Sequence, residues 1–235
     1  MLPEMAVAAI RTVGLTKDYR GGQGLFDLDL QVAEGEIFGL RGREGSGKST
    51  ATRLLMGMLH PSRGHAYVFG LDCGREAVEV KRRVGYVPDR APDFGWTTGA
   101  EVVQYMAGLR GGVHRDRVRD MAERLDLDLS PRHRDYRPGD RQKLSILLAF
   151  VHEPDLLILD EPAQDLDEDA VAELNVLLDE TSERGATILI ASRTPAGVAA
   201  PYDRVGTLTY GMLSRVTHMH ELPELDEPDP RALPP

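Results

Sequence analysis

Nine residues in the first quarter of the chain, GREGSGKST (42–50), have the types and spacing to hold a phosphate. They fit the pattern G-x-x-x-x-G-K-[ST]. Glycines at 42, 45 and 47 let the backbone turn tightly, so that successive N–H groups point inward at phosphate oxygens. Arg43, Glu44, Ser46 and Thr50 complete the expected nucleotide-binding stretch. A helix beginning at Lys48 adds partial positive charge at its N-terminus. Lys48 is expected to reach the β- and γ-phosphates of ATP, and Ser49 to ligate Mg2+. Lysine is scarce here, with four residues (17, 48, 81 and 143) against 24 arginines, so composition alone does not supply Lys48.

A second stretch, LLILDE (156–161), ends an apolar run with two acids. An acidic pair at the C-terminal end of a buried parallel strand lies where α/β proteins place their chemistry. Asp160 is expected to hold Mg2+, and Glu161 to orient and deprotonate an attacking water.

The surrounding pattern supplies elements to carry both stretches. AIRTVGL (9–15), LFDLDLQV (25–32) and EIFGL (36–40) read as strands, the second alternating as a half-exposed strand should. KSTATRLLMGMLH (48–60) reads as a helix stopped by Pro61. HAYVFG (65–70) and RRVGYV (82–87) read as further strands. From 90 to 150 the pattern turns helical. TTGAEVVQYMAGL opens with Thr98 as N-cap and Glu101 three residues on, and DRVRDMAERLDL (116–127) and RQKLSILLAFVH (141–152) follow. LLILD (156–160) and ATILIAS (186–192) are uniformly apolar, as strands covered on both faces must be. EDAVAELNVLLDETSERG (168–185) is a helix between them, with Asp167 placed as its N-cap, and RVGTLTYGMLSRVT (204–217) reads as a hairpin.

Composition sets the outer bounds. At 235 residues the chain can bury one sizeable core, or a core with a subdomain. No apolar run approaches the ~20 residues that span a bilayer, and MLPEMAVAAI lacks the basic start and long apolar middle of a signal peptide. One cysteine, Cys73, excludes an internal disulfide and suits a reducing cytosol. A net charge of −10 argues against nucleic-acid binding by the whole surface. The charge is uneven: arginine crowds 110–141, and the tail ELPELDEPDP (221–230) is acidic and proline-rich.

Taken in order, these landmarks resemble the nucleotide-binding subunit of an ABC transporter over about residues 9–217. Tyr19, 23 residues before Gly42, matches the aromatic that stacks on adenine. HEPDLLILDEPAQDLD (152–167) resembles the family's Walker B and D-loop run, and DRV (203–205) also fits. A GTPase would carry N-K-x-D, which is absent. The resemblance implies an α/β fold: a P-loop NTPase core of ABC type with N-terminal antiparallel strands and a helical subdomain insertion. It divides the chain into an ATP-binding core (1–89 and 151–218), a helical signature subdomain (90–150) and a tail (219–235) expected to be poorly ordered. It further implies ATP and Mg2+, a second nucleotide-binding subunit paired head to tail, and a separate transmembrane permease chain. The chain would then be cytoplasmic and peripheral on the inner face of the membrane. The permease is expected near Phe94–Thr98, where Phe94 and Trp96 flank Gly95, although core packing explains these aromatics equally well. The spacing Y-x-x-G-x-x-Q-K-L at 136–144 resembles exporter-type subunits.

Three places depart from the family pattern. Asp89 in GYVPD (85–89) stands where glutamine is usual; it offers only acceptors on a shorter arm, and is expected to be able to bind Mg2+ still, with a different geometry. Arg193, 32 residues past Glu161, stands where the family has a switch histidine. It cannot accept a hydrogen bond or shuttle a proton at neutral pH, but can pair with a γ-phosphate. In the signature motif, Tyr136 takes the leading leucine position, Arg137 the serine, Pro138 the first glycine and Asp140 the glutamine, while Gly139 is kept. By resemblance, Arg137, Gly139 and Asp140 belong to the partner's nucleotide site, and Asp89 and Arg193 to this chain's own. The expectation is ATP binding with weak or partner-dependent hydrolysis. The alternatives are a nucleotide-sensing regulatory subunit that closes on ATP with little hydrolysis, and a soluble ABC protein not engaged in transport.

Overall fold

The fold is seen in a computed structural model that describes residues 8–193, 198 and 200–218. The tail expected to be poorly ordered lies outside the described residues.

Two sheets form the frame. The first is built from β1 (Ala8–Asp18), β2 (Gly24–Leu28), β3 (Gln31–Ala33), β5 (Arg63–Val68) and β6 (Leu71–Asp72), in the order β2-β1-β5-β6 with β3 also on β1; its pairings are antiparallel. The second holds β4 (Ile37–Arg41), β7 (Val84–Val87), β8 (Leu156–Asp160), β9 (Thr187–Ser192), β10 (Arg204–Thr209) and β11 (Met212–His218). Its order is β11-β10-β4-β9-β8-β7, parallel except for the β10–β11 hairpin.

The central strands are apolar on both faces because both faces are covered. Leu156 and Ile158 of β8, with Leu189 of β9, join Phe38, Leu40 and Leu54 in a core under the antiparallel sheet. Leu157, Leu159, Ile188 and Ile190 point the other way, into a core with Leu144, Leu147, Leu174 and Leu178. The helices that close these faces are α1 (Lys48–Leu55), α5 (Pro138–Phe150) and α6 (Glu168–Glu183). The remaining α-helices among the described residues are α2 (Ala77–Arg83), α3 (Gly99–Gly108) and α4 (Arg115–Arg124). Cys73 is buried in the first core, which pushes its thiol up to about 12 and leaves it unreactive.

Several elements differ from the sequence expectation. LFDLDLQV is two strands, not one. Thr12 Oγ1 donates to Leu28 O (2.8 Å) and accepts from Leu30 N (2.9 Å), while Asp29 Oδ1 accepts from Gly14 N (2.7 Å). These bonds stitch a break that pattern alone does not show. The helix from Lys48 ends at Leu55, well before Pro61. Gly57 turns the chain with φ 60, and a Cβ there would stand 2.2 Å from Cys73 O. Arg82 and Arg83 belong to α2 rather than to β7. The expected N-cap pair holds: Glu101 N donates to Thr98 Oγ1 (3.3 Å) and Thr98 N to Glu101 Oε2 (2.8 Å). Asp167 caps α6 by accepting from Ala170 N at 2.8 Å.

Candidate nucleotide site

Parallel register brings the chemistry to one edge. Arg41 of β4 lies opposite Ser192 of β9, Asp160 of β8 opposite Ala191, and Val87 of β7 opposite Leu159. The residues that follow, Gly42, Arg193, Glu161 and then Asp89, therefore leave the sheet on the same side. Arg193, Glu161 and Asp89 wall a cavity of about 480 Å³, which also meets Tyr19 and the loop 44–50.

The loop 42–47 has the geometry its glycines predict. Gly45 (φ 76) and Gly47 (φ 103) lie in the left-handed region. A Cβ on Gly42 would stand 2.3 Å from Ser46 Oγ and 2.6 Å from Leu208 O. Arg43, Glu44 and Gly45 are exposed, whereas Ser46 is buried. The hairpin turn at Gly211 braces the loop from below: Gly211 N donates to Ser46 O (3.1 Å), and Phe26 N donates to Gly211 O (2.7 Å). The late DRV motif also braces β4, since Ile37 N donates to Asp203 Oδ2 at 2.8 Å.

Lys48 is buried inside the loop. Its Nζ donates to Gly42 O (2.7 Å) and Arg43 O (3.2 Å) and stands 3.5 Å from Glu161 Oε1. Arg193 approaches the same oxygen, with Nε at 3.7 Å. Ser192 Oγ donates to the other, Glu161 Oε2, at 3.3 Å. Glu161 thus lies between two cations, held in the left-handed region (φ 48) by its N–H bond to Ala191 O.

Asp160 is fully buried. Its Oδ2 accepts from Thr52 Oγ1 at 3.1 Å, the nearby Ser49 hydroxyl favours its charged form, and its Oδ1 has no partner. Burial raises this carboxyl to about 6, and the charge of Asp89 adds to the rise. An orphaned, buried carboxylate oxygen beside a serine hydroxyl suits a hard cation. Among the described residues no cluster of three or more acids, histidines or cysteines forms a metal cage.

Asp89 reaches the cavity already engaged, because Arg53 Nη2 donates to its Oδ1 at 2.6 Å. An aspartate wholly free for Mg2+ is therefore narrowed to its second oxygen. Burial works against the charge of Arg53, yet the bond to Asp89 and that carboxylate's charge hold its pKa above the ordinary arginine value.

At the far end Tyr19 is half exposed, and its N–H donates to Gln23 O at 3.0 Å. Gln23, Arg90 and Gln164 also line the cavity, and sequence reasoning missed all three, as it missed Arg53. Gln164 stands inside the quoted run EPAQDLD and Arg90 directly after Asp89, so proximity to a landmark was the only available signal.

Arg137, Gly139 and Asp140 lie away from this cavity, at the start of α5. Asp140 Oδ2 accepts from Arg137 N (3.2 Å), so the acid caps its own helix. Tyr136 is a core residue whose hydroxyl donates to Asp128 O at 2.6 Å. The aromatics at 94–96 divide. Phe94 packs on the core, edge-on to His133 with centroids 5.2 Å apart, whereas Trp96 is 65% exposed under the Arg134 guanidinium, 3.2 Å from its ring centre.

A family model described as "ABC transporter" matches residues 25–164. The bacitracin transport ATP-binding protein BcrA of Enterococcus faecalis is 34% identical over 216 residues, 91% of this chain and 70% of that protein. The ABC transporter ATP-binding protein YtrB of Bacillus subtilis is 30% identical over 213 residues, 89% of this chain and 72% of that one. A solved ATP-binding subunit of an ABC transporter superposes with TM-score 0.82 at 25% identity, covering 90% of each chain. A dimeric bacterial ABC transporter cassette gives TM-score 0.79 at 21% identity over 89% of this chain and 98% of that one, a likeness of fold alone. A phosphate loop on β4, an acidic pair on β8 and this set of relatives lead to one conclusion: the chain belongs to the ABC transporter family, as one of its ATP-binding subunits, and the family hydrolyses ATP.

Proposed function

We propose that this chain binds Mg2+·ATP in the cavity beneath the 42–50 loop and hydrolyses it slowly, or only with a partner, to drive a separate membrane-spanning chain. The observation that carries the slow step is Glu161 Oε1, shared between Lys48 Nζ at 3.5 Å and Arg193 Nε at 3.7 Å. In the proposed reaction water attacks the γ-phosphorus in line, Glu161 Oε1 takes its proton, and the bond to the β–γ bridging oxygen breaks, releasing ADP and phosphate. Lys48 and the loop N–H groups stabilise the charge that develops on the phosphoryl oxygens. Ser49 and Asp160 would hold Mg2+, which when bound neutralises charge on the β- and γ-oxygens. Arg193 can attract the γ-phosphate, but cannot accept a hydrogen bond from the attacking water. Tyr19 offers a face for adenine.

Two chains would pair head to tail, with Arg137, Gly139 and Asp140 of one closing on the phosphates held by the other. Their exclusion from this chain's own cavity supports that role. Trp96, exposed at the start of the helical region, is the proposed contact for the membrane chain. The relative named for bacitracin transport favours an exporter. No helix among the described residues is long and apolar enough to cross a membrane, which supports a membrane part carried on another chain.

The test separates binding from chemistry. The purified chain should bind ATP with Mg2+, and Lys48→Ala should weaken that binding at least about tenfold, since a hydrogen-bonded charge at a phosphate contributes about 1.5–3 kcal/mol. Glu161→Gln should keep the binding and lower single-turnover phosphate release about 100-fold or more. An unaltered rate in Glu161→Gln, or no ATP binding at all, would overturn the proposal.

A further inference from the structure

Two adjacent residues of α1 bond acids at the ends of neighbouring strands, Asp160 at the end of β8 and Asp89 two residues past β7. Thr52 donates to Asp160 Oδ2 at 3.1 Å, and Arg53, the next residue, donates to Asp89 Oδ1 at 2.6 Å. Asp89 and Asp160 act on each other electrostatically; Asp89 lines the space that the proposed function gives to the phosphates, while Asp160 is fully buried next to Glu161, which also lines it. An uncompensated acid on the wall of that cavity repels a triphosphate. Arg53 carries the opposite charge at contact distance from Asp89. Its side chain is 41% exposed and that of Asp89 24%, so as a structural tie the pair contributes little. Its geometry serves the cavity instead. It occupies the Oδ1 atom, cancels the net charge and leaves Oδ2 outside the bond.

We infer that Arg53 is a positioning residue for Mg2+·ATP: by pairing with Asp89 it makes a net-neutral unit of an acid beside the phosphates. The inference rests on the nucleotide-binding reading above. It makes the effect of Arg53 conditional on Asp89. A residue that merely supported the helix, or touched phosphate itself, would act whether or not Asp89 were present.

A double-mutant cycle on the full chain tests this. The dissociation constant for ATP is measured at saturating Mg2+ in the unaltered chain, Arg53→Met, Asp89→Gln and the double variant, with thermal melts alongside. Arg53→Met is expected to weaken binding about tenfold when Asp89 is present, and less than about twofold when residue 89 is glutamine. If Arg53→Met melts early, Arg53→Gln, uncharged but still a donor, carries the same expectation. Equal weakening in both backgrounds, or none in either, overturns the inference while leaving ATP binding itself intact. An unaltered chain that binds no ATP overturns the proposed function, and this inference with it.

Discussion

Arg193 and Asp160 show how single side chains set the behaviour of the site. Arg193 Nε is 3.7 Å from Glu161 Oε1, and arginine stays charged at any working pH. Histidine there could accept a hydrogen bond and move a proton. Arg193→His is therefore expected to raise steady-state phosphate release at least about tenfold, toward the 10²–10⁴ typical of positioned acid–base groups. The ATP concentration at half-maximal rate should change little. Asp160 makes the opposite point, about stability. Its folded pKa of about 6 lies above the ordinary aspartate value. The folded state therefore holds its proton longer, and stability falls as pH rises from about 4 through 6. At pH 7.5 the full penalty applies, on the order of 3 kcal/mol. Asp160→Asn should raise the melting temperature of the nucleotide-free chain by several degrees at pH 7.5 and by much less at pH 4. It should also abolish stabilisation by Mg2+·ATP, measured by the same melts.

At the scale of elements, the sequence read best where a local signal and burial agree. The capping box at Thr98 and Glu101 needs only residues three apart, and it is present. Thr98→Ala should cost about 1 kcal/mol, or roughly 2–4 °C in melting temperature for a chain this size. α2 escaped notice because only Val80 of its seven residues is buried, which leaves no apolar period to read. The 25–32 segment looked continuous because Thr12, which bridges its break, lies 16 residues from Leu28 in sequence. Gly139 tests the junction between α5 and the segment after the acidic strand. Alanine in place of glycine usually stabilises a helix by about 1 kcal/mol. Here its Cβ would come within 2.8 Å of Asp165 O, and Gln142 Nε2 already bonds Pro162 O at 3.0 Å. Gly139→Ala should therefore lower the melting temperature, as thermal unfolding would show.

For the molecule as a whole, the join between α5 and β8 sets an acid limit. Burial lowers the His152 imidazole to about 4, and the charges of Arg110 and Arg117 add to the effect. Its folded pKa lies below the unfolded value. The fold is then favoured fully above pH 6.5 and loses about 3 kcal/mol as pH falls from 6.5 to 4. Melting curves across that range should show the loss, and His152→Gln should flatten it. Two cores on opposite faces of the β4-β9-β8 strands make this a property of the whole fold, because the site's strands are shared by both.

The chain of residues 42–50, the acidic end of 156–161 and the helical insertion were legible in the sequence. Each depends on neighbours in the chain: glycines that permit a turn, a cap three residues away, an unbroken apolar run. The family and the fold followed from those local signals in order. The contacts of Glu161 with Lys48 and Arg193, and of Arg53 with Asp89, were not legible. They join residues 113, 32 and 36 positions apart, and they exist because parallel register brings strand ends from distant parts of the chain to one edge. Sequence therefore determined that a phosphate loop and an acidic pair are present. Only the tertiary structure decided which cation faces which acid, since Coulomb interaction falls with distance through space and takes no account of distance along the chain.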